Sequence, residues 1–449
     1  MDKDDNRLLV GETGKDLDAV LTPFLEHTLE THQLPGLAIG VVAENEIVYA
    51  RSFGVKSLVT QEPVNLRTLF HMASVSKPFV ASAVMQWVER GRMQLEAPLI
   101  TYLPYFKLDD DRYPEITLQQ MLSHVSGMPD VEDYEWDRPQ YDEGALERYV
   151  RSLSSEKMLS NPGEKFAYSN MAFECLGDVI AKVAGMSFDD YEKKHILDPA
   201  GMVESTFLKP AHLPENWAAP HVRLLENLAW EGYPYNRMHA PSSTLHSNAL
   251  EMCNWAIANL NQGNYQGKHI LRTDSYDLLW KPWADTGDGR QVGLSWFFQE
   301  TRGHTIIQHG GGDTGFRSHF VMLPDLGAAV VVLCNVIPAP AEEIALAALE
   351  LLLGDPPTPL IPDASLLVGK TLQQQGLAAA VAHWNSLQSD HPDEYNFSGE
   401  QFYPLLFEGM MMKREPEARL LAQLCAQILP EPELKVVEKI MGHFQKKSA

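Results

Sequence analysis

The sequence predicts an α/β protein of the α+β kind. An antiparallel sheet is assembled from both chain ends and flanked by helices, with a mostly helical insert and a small all-α C-terminal domain. Three observations predict it. Strand-like runs occupy residues 37–42 and 47–55, then return only at 292–298, 304–308, 317–323 and 328–333. The intervening residues 99–246 are rich in Pro, Tyr and acids and carry helical pieces. Past the break Gly354-Asp355-Pro356-Pro357-Thr358-Pro359, only helical segments follow. Strands from both ends with helices between them combine most simply as one sheet with a helical insert.

The elements follow in order. Leu17, Val20, Leu21, Phe24, Leu25 and Leu29 recur at helical spacing and predict a helix over 16–32. The first two strands turn around Glu44-Asn45-Glu46. Pro78 is tolerated in a helix's first turn, so the apolar run 79–89 predicts a helix beginning around Ser74 to Ser76. Further helices are expected at 118–122, 173–184 and 342–353. Three prolines and a glycine within residues 354–359 then open a linker over 354–366. The expected domains are thus 1–353, with an insert of about 99–246, and a helical domain over 367–449. The latter reads as helices at 372–387, 398–412, 416–429 and 432–444, with Ser398 and Gln401 as a capping box. Two helix pairs of this size resemble tetratricopeptide-type repeats, although the signature residues are mostly absent.

Composition narrows the partners. The 449 residues carry 60 acidic and 36 basic side chains, a formal net charge of −24. Surfaces for phosphate backbones or anionic membranes need clustered Lys/Arg, and the densest basic run is Lys446-Lys447. No nucleic acid and no membrane is expected as a partner. The acidic start at Met1 has no apolar core and no run of 18 apolar residues occurs, so a cytoplasmic location is expected. Cys175, Cys253, Cys334 and Cys425 lie far apart in apolar segments and read as buried free thiols. No metal or cofactor is called for.

Three short motifs carry chemistry. Ser74-Val75-Ser76-Lys77 places a hydroxyl and an ammonium on one helix face, beside the free N–H groups of the helix start. Nucleophile, proton handler and oxyanion donor would come from one turn, a covalent-catalysis signature. Ser154-Ser155-Glu156-Lys157 has the same spacing but reads as a solvated loop. Tyr168 and Asn170 stand two apart in an extended segment and project to one side. Beside a buried ammonium a phenol becomes a usable base; taken alone, Tyr168 packs and Asn170 caps the next helix. His309-Gly310-Gly311-Gly312 lies between two strands, where glycines let a substrate approach the backbone. Gly310, Gly312 and Gly315 also fit G-x-G-x-x-G, but a strand-like run follows them, so a dinucleotide site is rejected. Neither a G-x-S-x-G elbow nor H-E-x-x-H occurs.

In this order the motifs resemble the serine β-lactamase-related superfamily: class C β-lactamases, DD-peptidases and family VIII-type carboxylesterases. The resemblance covers roughly residues 17–353. It includes Phe70-His71-Met72-Ala73-Ser74-Val75-Ser76-Lys77, Leu122-Ser123-His124-Val125-Ser126-Gly127-Met128-Pro129, Tyr168-Ser169-Asn170 and Gly293-Leu294-Ser295-Trp296, followed by residues 309–315 and 324–335. It implies Ser74 as nucleophile, Lys77 as proton relay and Tyr168 as base. Asn170 would hold Lys77 and a substrate amide, and the N–H groups of Ser74 and Gly312 would form the oxyanion hole. True β-lactamases carry Lys-Thr-Gly where this chain has His309-Gly310-Gly311, so the grip on a drug's carboxylate is weaker. Arg317 is either a replacement clamp or a solvent-facing strand arginine.

The expected protein is therefore a serine hydrolase acting on a small ester or amide, with ester hydrolysis first. A D-amino-acid-specific peptidase, or an acyltransferase or peptide cyclase, is the alternative. A non-catalytic scaffold that binds a protein partner or self-associates through residues 367–449 is the alternative of another class. Trp136, Trp230, Tyr233 and Tyr235 suggest an aromatic-lined pocket or a packed insert.

Overall fold

The computed structural model describes residues 5–447, with side chains to 442. The acidic start, residues 1–4, and the side chains of Lys446 and Lys447 lie outside what is described. The N-terminal elements are strand β1 (Arg7–Leu9), helix α1 (Gly11–Thr31), strands β2 (Gly36–Ala43) and β3 (Glu46–Gly54), and helix α2 (Lys77–Glu89). The middle contributes helices α3 (Asn170–Ala184) and α4 (Ala249–Leu260). Strands β4 (Ala284–Asp285), β5 (Gln291–Val292), β6 (Phe297–Thr301), β7 (His304–Asp313), β8 (Phe316–Leu323) and β9 (Ala328–Cys334) complete the sheet before helix α5 (Ala341–Leu352).

These strands form one antiparallel sheet in the order β1-β3-β2-β9-β8-β7-β6-β5-β4. The seam between chain ends is the β2–β9 pair, Leu37 opposite Cys334 through Val42 opposite Ala329. Side chains alternate along a strand, and here each face has a helical layer. Leu37, Ile39, Val41, Val330 and Val332 pack with Leu17, Leu21 and Leu25 of α1 and Ile344 and Ala348 of α5. Ala38, Val42, Val331 and Leu333 face a larger core with Phe79 and Val84 of α2, Leu176 of α3 and Met252 of α4. Two-sided burial explains why β2 and β9 read as nearly unbroken apolar runs.

Helices α6 (Ser365–Gln375), α7 (Leu377–Asp390), α8 (Phe402–Met411), α9 (Glu415–Ile428) and α10 (Glu431–Lys447) follow. Trp384, Phe402, Leu405, Leu421 and Leu424 give them a core of their own, which Leu225 of the insert joins.

Several expectations change in detail. The run 292–298 is two strands, because residues 293–296 leave the sheet. Ser295 adopts φ 73° and its N–H bonds the Leu122 carbonyl at 2.7 Å. The strand expected to end at 308 continues through the glycines to Asp313, pairing with β8 from Ile307–Met322 to Asp313–Phe316. The helix expected over 372–387 is broken at Gly376 (φ 84°), and its first half starts at Ser365, within the expected linker. The capping box at Ser398 does not close. Ser398 Oγ accepts from the Glu400 N–H, while the Gln401 amide donates to the carbonyls of Asn396 and Ser398. A closed box occurs at Thr117 and Gln120. All four cysteines are free and buried. Among the described residues no helix is long and apolar enough to cross a membrane.

Candidate active site

The Ser74 segment begins as a 3-10 turn, Ala73–Ser76, that runs directly into α2. Its entry is strained: Ala73, which carries a Cβ, sits at φ +48°. Three hydrogen bonds hold it there. The Met72 carbonyl accepts from Ser318 Oγ at 2.7 Å, the Met72 N–H donates to the Leu245 carbonyl at 2.8 Å, and Ser76 Oγ accepts from the Leu245 N–H at 3.0 Å. The first bond of the turn is made by the Val75 N–H, so the Ser74 N–H precedes the helical bonding pattern.

Lys77 lies one turn on and is fully buried. Its Nζ donates to Ser74 Oγ at 2.9 Å and to the Ser242 carbonyl at 2.8 Å. Burial lowers its pKa to about 8, against the opposing pull of Glu174, Asp130 and Asp313. Tyr168 stands over the ammonium, its ring centroid 4.9 Å from Nζ, and hydrogen-bonds Ser74. Its ring stacks on His124 at 4.2 Å. His124 in turn organises the segment, its carbonyl accepting from the Ala167 N–H and its Nδ1 from the Ser169 N–H. Burial pushes the Tyr168 phenol up, the Ser74 hydrogen bond opposes this, and the nearby carboxylates push it further up.

Asn170 departs from expectation. The cap of α3 is Ser169, whose Oγ accepts from the Ala172 N–H at 3.1 Å. Asn170 instead donates from Nδ2 and from its backbone N–H to Asp130 Oδ1, at 2.9 and 2.8 Å. Its expected hold on Lys77 is not formed, because the Ser242 carbonyl takes that place.

Strand β7 forms the opposite wall. A Cβ at Gly311 would overlap the Met72 carbonyl oxygen and the Ser318 hydroxyl, so this glycine lets the strand lie against the Ser74 turn. His309 is buried, and its Nδ1–H donates to the Gly310 carbonyl at 2.7 Å. Nε2 has no partner among the described residues. Burial and then the charge of Lys77 lower the imidazole to about 3, so it is neutral and Nε2 is a free acceptor. At the end of β7, Asp313 Oδ2 accepts from His71 Nε2 at 2.7 Å and from Ser243 Oγ.

These groups surround a cavity of about 490 Å³ lined by Ser74, Tyr168, Asn170, His309, Gly310, Gly311, Gly312 and Arg317. All sequence-predicted site residues except the buried Lys77 therefore line one cavity, and Lys77 bonds Ser74 behind it. Arg317 is a solvent-facing strand arginine at the cavity edge. Its side chain is exposed, it lines the cavity, and it has no ion pair among the described residues. Lys157, from the second S-x-x-K match, is remote, pairing with Asp109 at 3.8 Å on the surface. Trp136 and Trp230 line a neighbouring cavity of about 300 Å³ with Met410 to Lys413, and Tyr134 borders both. Tyr235 is buried in the insert and Tyr233 packs against the core.

Sequence reasoning missed Asp130, Glu174, Ser242 and Asp313. Two of these had a usable signal. Asp130 directly follows the 122–129 motif, and Glu174 stands four residues after Asn170 on the same face of α3.

A family model described as Beta-lactamase matches residues 18–354. The chain belongs to that family. A penicillin-binding protein of Bacillus subtilis (strain 168) is 26% identical over 341 residues, covering 70% of this chain and 71% of that protein. Protein flp of Staphylococcus aureus (strain MW2) is 23% identical over 328 residues, covering 73% of this chain but only 64% of its own length. Among solved structures, an octameric penicillin-binding protein homologue from Pyrococcus abyssi is similar with a TM-score of 0.68 at 24% identity, covering 81% of this chain and 82% of that one. A penicillin binding protein from Bacillus halodurans is similar with a TM-score of 0.62 at 25% identity, covering 73% and 99%. Membership of this family supports a serine hydrolase.

Proposed function

We propose that the protein hydrolyses small esters through an acyl-enzyme on Ser74. One observation carries the reading: inside the cavity, Ser74 Oγ receives a 2.9 Å hydrogen bond from a lysine whose pKa lies near 8. A lysine so poised is partly neutral at physiological pH and can take the serine proton. The base role assigned to Tyr168 from the sequence therefore moves to Lys77, because burial and neighbouring carboxylates disfavour a phenolate. Ser74 Oγ attacks the carbonyl carbon as its proton passes to Lys77 Nζ. The C–O bond to the leaving group breaks, and the leaving oxygen takes that proton through the Tyr168 hydroxyl. Water then attacks the acyl carbon, its proton passing to Lys77 and back to Ser74 Oγ. The N–H groups of Ser74 and Gly312 stabilise the oxyanion, where losing one such donor costs about 10²–10³ in rate.

The ester preference rests on the strand wall. A neutral His309 and a Gly310 without a hydroxyl offer little to the carboxylate of a β-lactam or peptide. A second reading, a peptidase for D-amino-acid-containing peptides, is favoured by Arg317, an exposed guanidinium at the cavity with no ion pair among the described residues, and by the penicillin-binding relatives. The decisive measurement is a rate panel of short-chain p-nitrophenyl esters, D-alanyl peptides and a chromogenic cephalosporin. Ester turnover well above the other two is expected, and peptide turnover above ester turnover selects the second reading. Fluorophosphonate labelling that requires Ser74 is expected; none would leave the scaffold reading. The octameric homologue supports self-association, which sedimentation of the full chain tests. Four buried free thiols suit a reducing cytoplasm.

A further inference from the structure

Glu174 does not line the catalytic cavity, yet it is tied to the lysine that serves it. It is fully buried on α3, between the core residues Phe173 and Cys175. Its Oε1 accepts from Ser242 Oγ at 2.5 Å and lies 3.1 Å from His239 Nδ1. Its Oε2 accepts from the Ser242 N–H at 3.3 Å. The carboxyl thus holds both donors of the residue whose carbonyl holds Lys77. His239 is buried too, with the rings of Tyr134 and Tyr149 edge-on against it at 4.9 and 4.8 Å. Its Nε2 has no partner among the described residues, so its bonded nitrogen is the one facing Glu174. A buried carboxyl is expensive, and packing alone calls for an apolar residue here.

We propose that Glu174 is a positioning residue of the active site: through Ser242 it fixes the Lys77 ammonium against Ser74, and its charge holds the proton on that lysine. The proposal deepens the acyl-enzyme reading and rests on it. Around Lys77 the other acidic groups have partners of their own, Asp130 on Asn170 and Asp313 on His71 and Ser243. His124 and His309 approach Lys77 as neutral rings, both depressed by burial and by the lysine itself. Burial pushes the Glu174 carboxyl up, with His239, Ser242 and Lys77 opposing, and of the acids that raise the Lys77 pKa against burial it has the largest effect.

Glu174→Gln keeps the shape and an acceptor oxygen while removing the charge. The titration of Lys77 is read by carbon-13 NMR of lysine-labelled full-length protein, its resonance assigned by loss in Lys77→Arg. We expect the midpoint to fall by about one pH unit in Glu174→Gln, and the limb of the pH–acylation profile to fall with it. Glu174→Leu removes the grip as well. It should show the same fall and acylate roughly 10-fold or more slowly on the plateau, as a displaced catalytic group does. An unchanged Lys77 midpoint in Glu174→Gln overturns the proposal whatever the activity. Should that variant not melt cooperatively, the midpoint in Glu174→Leu decides in the same way. Parent protein that no fluorophosphonate labels at Ser74 defeats the acyl-enzyme reading instead, and the NMR midpoint still reports the effect of Glu174.

Discussion

On the helix side of the cavity, Lys77 is hydrogen-bonded to Ser74 and to the Ser242 carbonyl under the ring of Tyr168, and the buried carboxyl of Glu174 holds Ser242 from behind. On the strand side, His309, Gly310, Gly311 and Gly312 present a neutral imidazole and bare backbone. The first wall is made by polar groups taken out of water and satisfied one by another, which is what tunes a lysine to about 8. The second is made by what is missing: a methyl at 311, a hydroxyl at 310, a charge at 309. On the ester-hydrolase reading proposed above, reactivity belongs to one wall and admission of substrate to the other. Substitutions should therefore separate the two.

The largest effect is expected on the helix wall. Ser74→Ala should lower ester turnover by about 10⁴-fold or more with the melting temperature nearly unchanged, measured by steady-state kinetics and calorimetry. Next comes the contact between the walls. Gly311→Ala pushes β7 off the Met72 carbonyl and Ser318, and kcat/KM should fall by about 10²-fold, with a lower melting temperature. A fall in KM alone would contradict that picture.

The C-terminal helices touch the strand wall through Glu408 of α8, a buried carboxyl that accepts from Thr314 Oγ1 at 2.8 Å, one residue after Asp313. Burial holds its pKa up at about 7, with Asp313 adding and Thr314 opposing. The folded state thus keeps a proton that the unfolded state releases near pH 4.5. Stability from this group is complete below that pH and is lost as the pH rises through 7, by about 3 kcal/mol. Glu408→Gln should match the parent near pH 5 and melt higher at pH 8; equal melting at both would refute the assignment. The smallest effect belongs to the rim. Arg317→Ala should raise KM about 10-fold for substrates bearing a carboxylate and leave neutral esters alone, since only a charge-assisted hydrogen bond is lost.

What could be read in the sequence follows the same division. Ser74 and Lys77 were legible because a spacing of three on a helix is local geometry, and the wrong copy at Ser154 and Lys157 lacked the neighbouring motifs. The sheet was legible from its apolar runs at both ends. Its extension through residues 309–313 was not, because three glycines carry no strand preference and are held only by pairing with β8. Asn170 was assigned to the wrong partner, since a lysine can be held equally well by a backbone carbonyl, which no residue code announces. Glu174 was hidden for a related reason. A glutamate in a helix ordinarily faces water, and only the distant-in-sequence partners His239 and Ser242, brought against it by the fold, make this one part of the interior.

The β2–β9 seam also governs when the site exists. Ser74 is reached early along the chain, whereas His309 lies 309 − 74 = 235 residues later, on a sheet closed by the pairing of Leu37 with Cys334. Contacts of such separation form late and slowly. During synthesis the serine, its lysine and its tyrosine are all present while the opposite wall has yet to be made. The cavity is complete only once β9 has emerged and the two ends of the chain have met.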